Sequence, residues 1–149
     1  MARRSSVKGA ARLRQTLRKV SVTVTREITE ALVEAGTVIA RDAKNNAVKR
    51  TGKLKESIRY QVSRDGLSVR VGSFGGKSQR AYHAALVEFG TAPGPRKAKD
   101  GTTYQHPGSV ARPWLLPAWE KHKRAAFAKI KQHTINALDE ISRNHGDPA

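Results

Sequence analysis

The sequence predicts an α+β fold: a long N-terminal helix, a β-hairpin within a small antiparallel sheet, a short helix and a long C-terminal helix. Apolar residues recur at steps of three and four near both ends of the chain, which is typical of amphipathic helices. Two runs of alternating apolar and polar residues flank Asp65-Gly66, which is the pattern of a β-hairpin. The length of 149 residues is that of a single domain.

The first 26 residues carry eight Arg and Lys residues and no acid. Such a segment is either a solvated tail or an arm that contacts phosphates or a partner protein. We expect this arm over residues 1–26, one α+β domain over 27–145 and a short tail over 146–149. The residues of this arm that we expect to contact DNA or a partner are mainly Arg3, Arg4, Lys8, Arg12 and Arg14.

The first helix is expected over about residues 12–48, because its apolar residues keep one helical face over that length. Residues 20–25 (VSVTVT) alternate with period two and would also suit a strand. The longer helical pattern runs through them, so a helix is favoured, and Gly52 is expected to end it. The hairpin that follows should pack its apolar face on this helix, since a lone hairpin is marginal in water.

A short helix is expected next, because Tyr82, Ala85, Leu86 and Phe89 share one helical face and Gly90 can end the helix with a positive φ. Residues 92–111 are rich in Gly and Pro and predict a long loop, with a small hairpin around 100–101.

The last helix is expected to begin at Pro113, where a missing N–H group has no cost. Its apolar face is formed by Trp119, Ala126, Phe127, Ile130, Thr134, Ala137, Leu138 and Ile141.

The charge balance is strongly basic, with 29 Lys and Arg against 12 Asp and Glu, a formal net charge of +17. Such an excess attracts polyanions: nucleic acid, an anionic membrane or an acidic protein surface. The chain has no cysteine, which excludes disulfides and thiolate chemistry. We expect no membrane span and no secretory signal, because no apolar run is long enough.

Catalytic chemistry is not indicated by the sequence. The five histidines are scattered, without the spacing of a metal site, and the common nucleophile and phosphate-loop motifs are absent. We therefore expect a protein that is not an enzyme and that has no cofactor and no bound metal.

Two segments carry a family resemblance. Residues 82–91 read YHAALVEFGT and residues 111–118 read ARPWLLPA, with HPG at 106–108 and TGKLKESI at 51–58. Their order and spacing, over about residues 40–125, resemble the tail-completion or head–tail joining proteins of tailed phages, similar to minor tail protein Z of long-tailed phages. Trp114 stands where the family more often has Phe.

The resemblance implies a structural subunit of the virion, without enzymatic activity or cofactor. It implies a homo-oligomeric ring at the neck through which DNA passes, with contacts to the tail terminator, the tail tube and the head-completion protein. Assembly would take place in the host cytoplasm, with non-specific contact to phage DNA and none to a membrane. The alternatives are a non-specific DNA- or RNA-binding protein and a tail terminator.

The residues expected to form the scaffold and the interface are Glu88, Phe89, Gly90, Arg112, Pro113, Trp114 and Trp119. Glu88 and Arg112 are expected either to form an ion pair that bridges the two motifs or to be two separate solvated charges. The two tryptophans are either core residues or anchors between subunits, since Trp is frequent at interface hot spots.

Overall fold

The computed structural model describes residues 10–49, 52–74 and 83–145. The predicted α+β class is confirmed, including both long helices, the hairpin around residues 65–66 and the small hairpin around 100–101. In chain order the elements are α1 (Ala10–Asn46), α2 (Lys53–Ser57), β1 (Ile58–Val62), β2 (Val69–Ser73), α3 (Ala84–Phe89), β3 (Gly94–Lys97), β4 (Thr103–His106) and α4 (Leu116–His145).

The strands form two separate two-stranded antiparallel sheets, β1–β2 and β3–β4. In the first, Ile58 pairs with Ser73 and Val62 with Val69. This hairpin packs directly on α1 at Gly36, where an added Cβ would lie 2.9 Å from Cγ2 of Val69. The predicted contact between the hairpin and the long helix is therefore confirmed, and it depends on a residue without a side chain.

The hydrophobic core lies where the end of α1, α2, β1 and the start of α4 converge. Trp114 is its largest member and is only 3% exposed. The other core residues are small or aliphatic: Ile39, Ala43, Ala47, Leu54, Ile58 and Ala118. Farther from this core, α1 and α4 bury alanines, namely Ala31, Ala35 and Ala137. The small core leaves much of the α4 surface to solvent.

Two boundaries differ from the expectation. The first helix ends at Asn46, and the short helix α2, which was not predicted, follows Gly52 with its φ of 76°. The last helix begins at Leu116 and not at Pro113, so Pro117 is its second residue. Within the described ranges, no helix is both long and apolar enough to cross a membrane.

Acids on α1 face bases on α4 over residues 27–42 of the first helix and 121–133 of the second. Residue numbers increase along α4 while those of the paired residues decrease along α1, so the two helices are antiparallel. The pairs are Asp42 with Lys121 and His122, Glu34 with Lys129, and Glu27 with His133. These contacts fix the relative alignment of the two helices.

Asp42 has the most perturbed acid–base equilibrium of this set. Lys121 Nζ lies 2.8 Å and His122 Nε2 lies 2.6 Å from its Oδ2 atom. The hydrogen bond from Lys121, followed by that from His122, lowers the pKa of Asp42 to about 2. The hydrogen bond and charge of Lys129 likewise lower the pKa of Glu34.

The pKa of Asp42 predicts a specific acid sensitivity. Because the folded-state pKa of Asp42, about 2, lies below the ordinary aspartate value of 3.8, ionised Asp42 stabilises the fold above pH 4, and this contribution disappears as the pH falls through 2. We expect Asp42→Asn to lower stability at neutral pH and to make the dependence between pH 4 and pH 2 shallower than in the wild type. Urea midpoints measured across this range test it.

Asp139→Asn is the matched control for that experiment. Asp139 lies exposed on α4 and has no ion pair in the part of the chain that the structure describes. Its replacement should leave the acid dependence unchanged. Parallel pH curves for the wild type and Asp42→Asn would contradict the assignment.

Candidate assembly site

The two motif segments lie side by side, joined by backbone hydrogen bonds. The N–H of Arg112 donates to the carbonyl of Val87 at 2.7 Å. Thr91 and Ser109 exchange both backbone hydrogen bonds, each at 2.9 Å. We call this paired region, residues 84–91 and 109–116, the clasp. The segment between its two halves is largely ordered as the β3–β4 hairpin, which begins and ends at the clasp.

Glu88 is the centre of the clasp. Its side chain is buried, with 7% of the residue exposed. Oε2 accepts the backbone N–H groups of Trp114 at 2.7 Å and Leu115 at 3.0 Å, and Oε1 accepts that of Leu116 at 2.8 Å. One carboxylate therefore holds three successive N–H groups.

These N–H groups lie at the start of α4, which begins at Leu116. The first N–H groups of a helix have no partner within it, and the helix dipole favours a negative charge at this end. Residue 117 is a proline and has no N–H to satisfy. Glu88 thus caps α4 from a position 28 residues before the first residue of the helix.

The predicted ion pair between Glu88 and Arg112 is wrong. The Glu88 carboxylate is occupied by backbone donors, and no ion pair joins it to Arg112 among the described residues. The Arg112 side chain is exposed, and its structural contribution is its backbone N–H. Pro113 is also exposed and immediately precedes Trp114, the first residue whose N–H donates to Glu88.

Trp114 is a core residue, as one of the two sequence interpretations held. Its indole N–H donates to the carbonyl of Ala84 at 3.2 Å, and its own carbonyl accepts the Asn46 side-chain amide at 3.2 Å. It therefore connects the end of α1, the start of α3 and the entry to α4. Trp119 lies elsewhere, 38% exposed and packed edge-to-face on Phe127 with ring centroids 6.1 Å apart.

Two glycines allow the clasp backbones to approach. Gly90 has φ 72° and ψ −175°, and an added Cβ would lie 2.6 Å from the carbonyl oxygen of Ser109. Gly108 has φ 81°, and its Cβ would lie 2.6 Å from the carbonyl oxygen of Thr91. The positive φ at Gly90 was predicted as a helix ending, whereas the close approach of a second backbone was not.

Large apolar side chains project from the clasp into solvent. Phe89 is 76% exposed and Val110 is 84% exposed. Phe89 lies between buried Glu88 and constrained Gly90, so its exposure follows from a backbone that is held on both sides. Val110 was not singled out in the sequence, although its position as an apolar residue in a polar loop was a signal.

A groove of ≈ 710 Å³ lies beside the clasp. Arg96, Arg112, His83 and His106 line it together with apolar residues of α3, and none of its described lining residues is acidic. His106 Nδ1 accepts the N–H of Gly108 at 2.9 Å, so the proton of the neutral ring is on Nε2. The groove presents donors and cations to any group that enters it, which suits an anionic partner surface.

The structure describes only part of the predicted basic arm. Arg3, Arg4 and Lys8 lie outside the described residues, and Arg12 and Arg14 belong to α1, where their side chains are not described. The contact of this arm with DNA or a partner therefore stays a prediction.

Several acids, by contrast, are used inside the fold. Asp65 accepts the N–H of Leu67 at 3.1 Å and Asp100 accepts that of Thr102 at 3.0 Å. Bonds from Ser63 and Leu67 lower the pKa of Asp65, and bonds from Thr102 lower that of Asp100. Together with Glu88 and the acids of α1, these carboxylates hold turns and helices, which leaves the outer surface dominated by cations.

The role of Glu88 predicts an asymmetry between the two charged motif residues. Glu88→Gln keeps the volume but turns an amide N–H₂ toward a buried N–H donor, so we expect the free energy of unfolding to fall by about 1–3 kcal/mol. Arg112→Gln removes an exposed side chain and should change it by less than about 0.5 kcal/mol. Urea denaturation measures both free energies of unfolding. Similar losses of stability in the two variants would instead support an ion pair between Glu88 and Arg112.

Gly90→Ala should destabilise the protein more than Gly101→Ala. Both positions have a positive φ, but a Cβ at Gly101 meets nothing within 4 Å. We expect about 1–2 kcal/mol of strain at Gly101 and an additional cost of about 1–3 kcal/mol at Gly90 from the collision with Ser109. Urea denaturation of the two variants tests this prediction. Equal losses of stability would show that the two clasp segments can move apart at Gly90 without additional cost.

Comparison with protein families gives one finding. A family model described as "Bacteriophage HK97-gp10, putative tail-component" matches residues 11–90. No curated protein and no solved structure matches the chain. The matched segment runs from α1 to Gly90, so it contains the first clasp segment except Thr91 and stops before the second. The match covers more than half of the chain, which belongs to the HK97-gp10-like family of bacteriophage tail components.

Proposed function

We propose that this tail component completes the tail at its head-proximal end, or joins it to the head, as a ring of identical subunits through which DNA passes. A tail component is part of the virion and meets other phage structural proteins. In this proposal the protein acts through its shape and its contacts with other structural proteins, and it catalyses no reaction. The observation that carries the proposal is the pair of exposed apolar residues on the clasp, Phe89 and Val110.

A closed ring needs a heterologous contact, in which one face of a subunit fits a different face of the next. Such a contact requires a projection whose position does not vary from copy to copy. The clasp supplies it, because the backbone on either side of Phe89 is held by the cap at Glu88 and by the close contact of Gly90 with Ser109. Exposed aromatic residues on rigid backbone are typical anchors of protein interfaces.

The charge distribution supports a passage for DNA. The chain has a net charge of +17, and the acids at Glu34, Asp42, Asp65 and Asp100 are engaged within the fold. A cationic lining holds phosphates without reading bases, which is what transit of any sequence requires.

The test is assembly of the purified chain, alone and with tail tubes, viewed by negative-stain electron microscopy. We expect rings or tube-end caps from the wild type. Phe89→Ser should abolish them while its unfolding curve stays unchanged, since the side chain is exposed. Val22→Ser is the matched control, because Val22 is 70% exposed but lies on α1.

The alternatives give different outcomes. Tight, strongly salt-dependent duplex binding by an isolated wild-type monomer that forms no rings would favour a non-specific nucleic-acid-binding protein. Tubes that overgrow when the protein is absent would favour a tail terminator, whereas tubes of normal length that fail to join heads would support the proposal. Rings that persist in Phe89→Ser would exclude the clasp as the subunit contact.

A further inference from the structure

The groove beside the clasp has an apolar floor that is continuous with the hydrophobic core. Leu54 is a buried member of the core, and Val87 packs against the core cluster. Leu86 lies in the same groove and is 48% exposed, so an apolar side chain is presented there to a partner. The volume of ≈ 710 Å³ falls in the usual range of ligand sites, roughly 300–1,000 Å³. The groove is therefore large enough to take more than one side chain.

The polar rim of the groove is rich in hydrogen-bond donors. Arg96 on β3 and Arg112 in the clasp are both exposed, and neither has an ion pair within residues 10–49, 52–74 and 83–145. A backbone N–H donates to Nδ1 of His106, so the neutral ring has a proton to donate at Nε2. The hydroxyl groups of Thr91 and Ser109 lie 3.0 Å apart and hydrogen-bond each other. An anionic acceptor fits this rim, and a carboxylate can accept two parallel bonds from one guanidinium.

The apolar floor indicates a protein partner and not a nucleic acid. A DNA duplex would present phosphates to Arg96 and Arg112, but it would bring no aliphatic side chain to the floor at Leu54 and Leu86. A protein segment in which carboxylates flank apolar side chains would contact the rim and the floor together. Complementary charge sets the choice of partner, and burial of the apolar side chains gives affinity. The groove therefore matches an acidic and apolar protein segment.

A second copy of this chain is a poor source of such a segment. Most acids in the described ranges already form ion pairs or accept hydrogen bonds within the fold. The exceptions there are Glu56, Asp139 and Glu140, all three on helices. Glu56 lies three residues after Lys53 on α2, and Arg143 follows the other two within one turn of α4, so nearby cations offset their charge. The net charge of +17 adds repulsion between copies, so acidic residues of a different protein fit the groove better.

We infer that the groove beside the clasp binds a segment of a different protein in which carboxylates flank apolar side chains. The apolar side chains of this segment cover the floor at Leu86, and its carboxylates accept hydrogen bonds from Arg96 and Arg112. Val110 borders the groove, whereas Phe89 does not line it. The inference goes beyond the proposed ring and does not depend on a subunit contact through Phe89.

Fluorescence anisotropy with short labelled peptides and the full chain tests the inference. The first peptide has Glu residues on both sides of a Leu-Phe pair. The second has Gln in place of every Glu, and the third has Ser in place of Leu and Phe. We expect the first peptide to bind about tenfold more tightly than either of the others, because only the first satisfies both the rim and the floor.

Substitutions in the groove should weaken binding of the first peptide about tenfold in Arg96→Gln, Arg112→Gln and Leu86→Ser. Arg70→Gln and Leu67→Ser are the matched controls, since Arg70 is exposed on β2, Leu67 is 52% exposed in the hairpin turn, and neither lines the groove. Both controls should leave peptide binding unchanged. General attraction of acidic peptides to a basic chain would make Arg70→Gln as harmful as Arg112→Gln. That result, or equal binding of the three peptides, would overturn the inference.

Two further measurements detect the other occupants. A labelled DNA duplex that displaces the first peptide, and that binds Leu86→Ser as well as the wild type, would assign the groove to DNA and overturn the inference. In sedimentation equilibrium, a wild-type oligomer that Leu86→Ser converts to monomer would assign the groove to a second copy and also overturn it. We expect Phe89→Ser to lose rings and keep peptide binding, and Leu86→Ser to do the reverse, so the proposed ring and the bound segment can fail independently.

Discussion

The Glu88 carboxylate organises the part of the molecule that carries the candidate interface. By accepting the N–H groups of Trp114, Leu115 and Leu116, it caps the start of α4 and holds Trp114 in the core. It also joins the two chain segments that flank the β3–β4 hairpin. Removing a buried acceptor from several donors is costly because the donors cannot reach water. The exposed positions of Phe89 and Val110 follow from this arrangement, so the cap is both a folding element and the support of the candidate interface.

The scarcity of acids gives the fold its electrostatic character. A chain with 12 acids places several of them where each has a defined structural task, at the helix cap, at two turns and along the contact of α1 with α4. Cations that have no such task remain on the surface. The same composition thereby provides a stable fold and a basic exterior, which suits the proposed contact with DNA.

Local patterns predicted much of this structure. The alternation around Asp65-Gly66, the long apolar periodicity through residues 20–25 and the glycine after Phe89 each determine a nearby element, and each was confirmed. The clasp partners of Glu88 could not be predicted, because the sequence does not show which backbone N–H groups a carboxylate will meet, and Arg112 is the only Lys or Arg in the two motif segments. Helix α2 has five residues, too few to show a period, and Pro113, which suits the first turn of a helix, lies three residues before the observed start of α4.

Amide hydrogen exchange at residues 114–116, followed by NMR, measures the central contact directly. In the wild type these three N–H groups should exchange slowly, because each donates to the buried Glu88 carboxylate. In Glu88→Gln at least one of them should lose protection, while the N–H of Trp119, which donates to the carbonyl of Leu115 just before the helix, should keep it. Fast exchange at all three positions in the wild type, or unchanged protection in Glu88→Gln, would contradict the assignment of Glu88 as the cap that joins the two motifs.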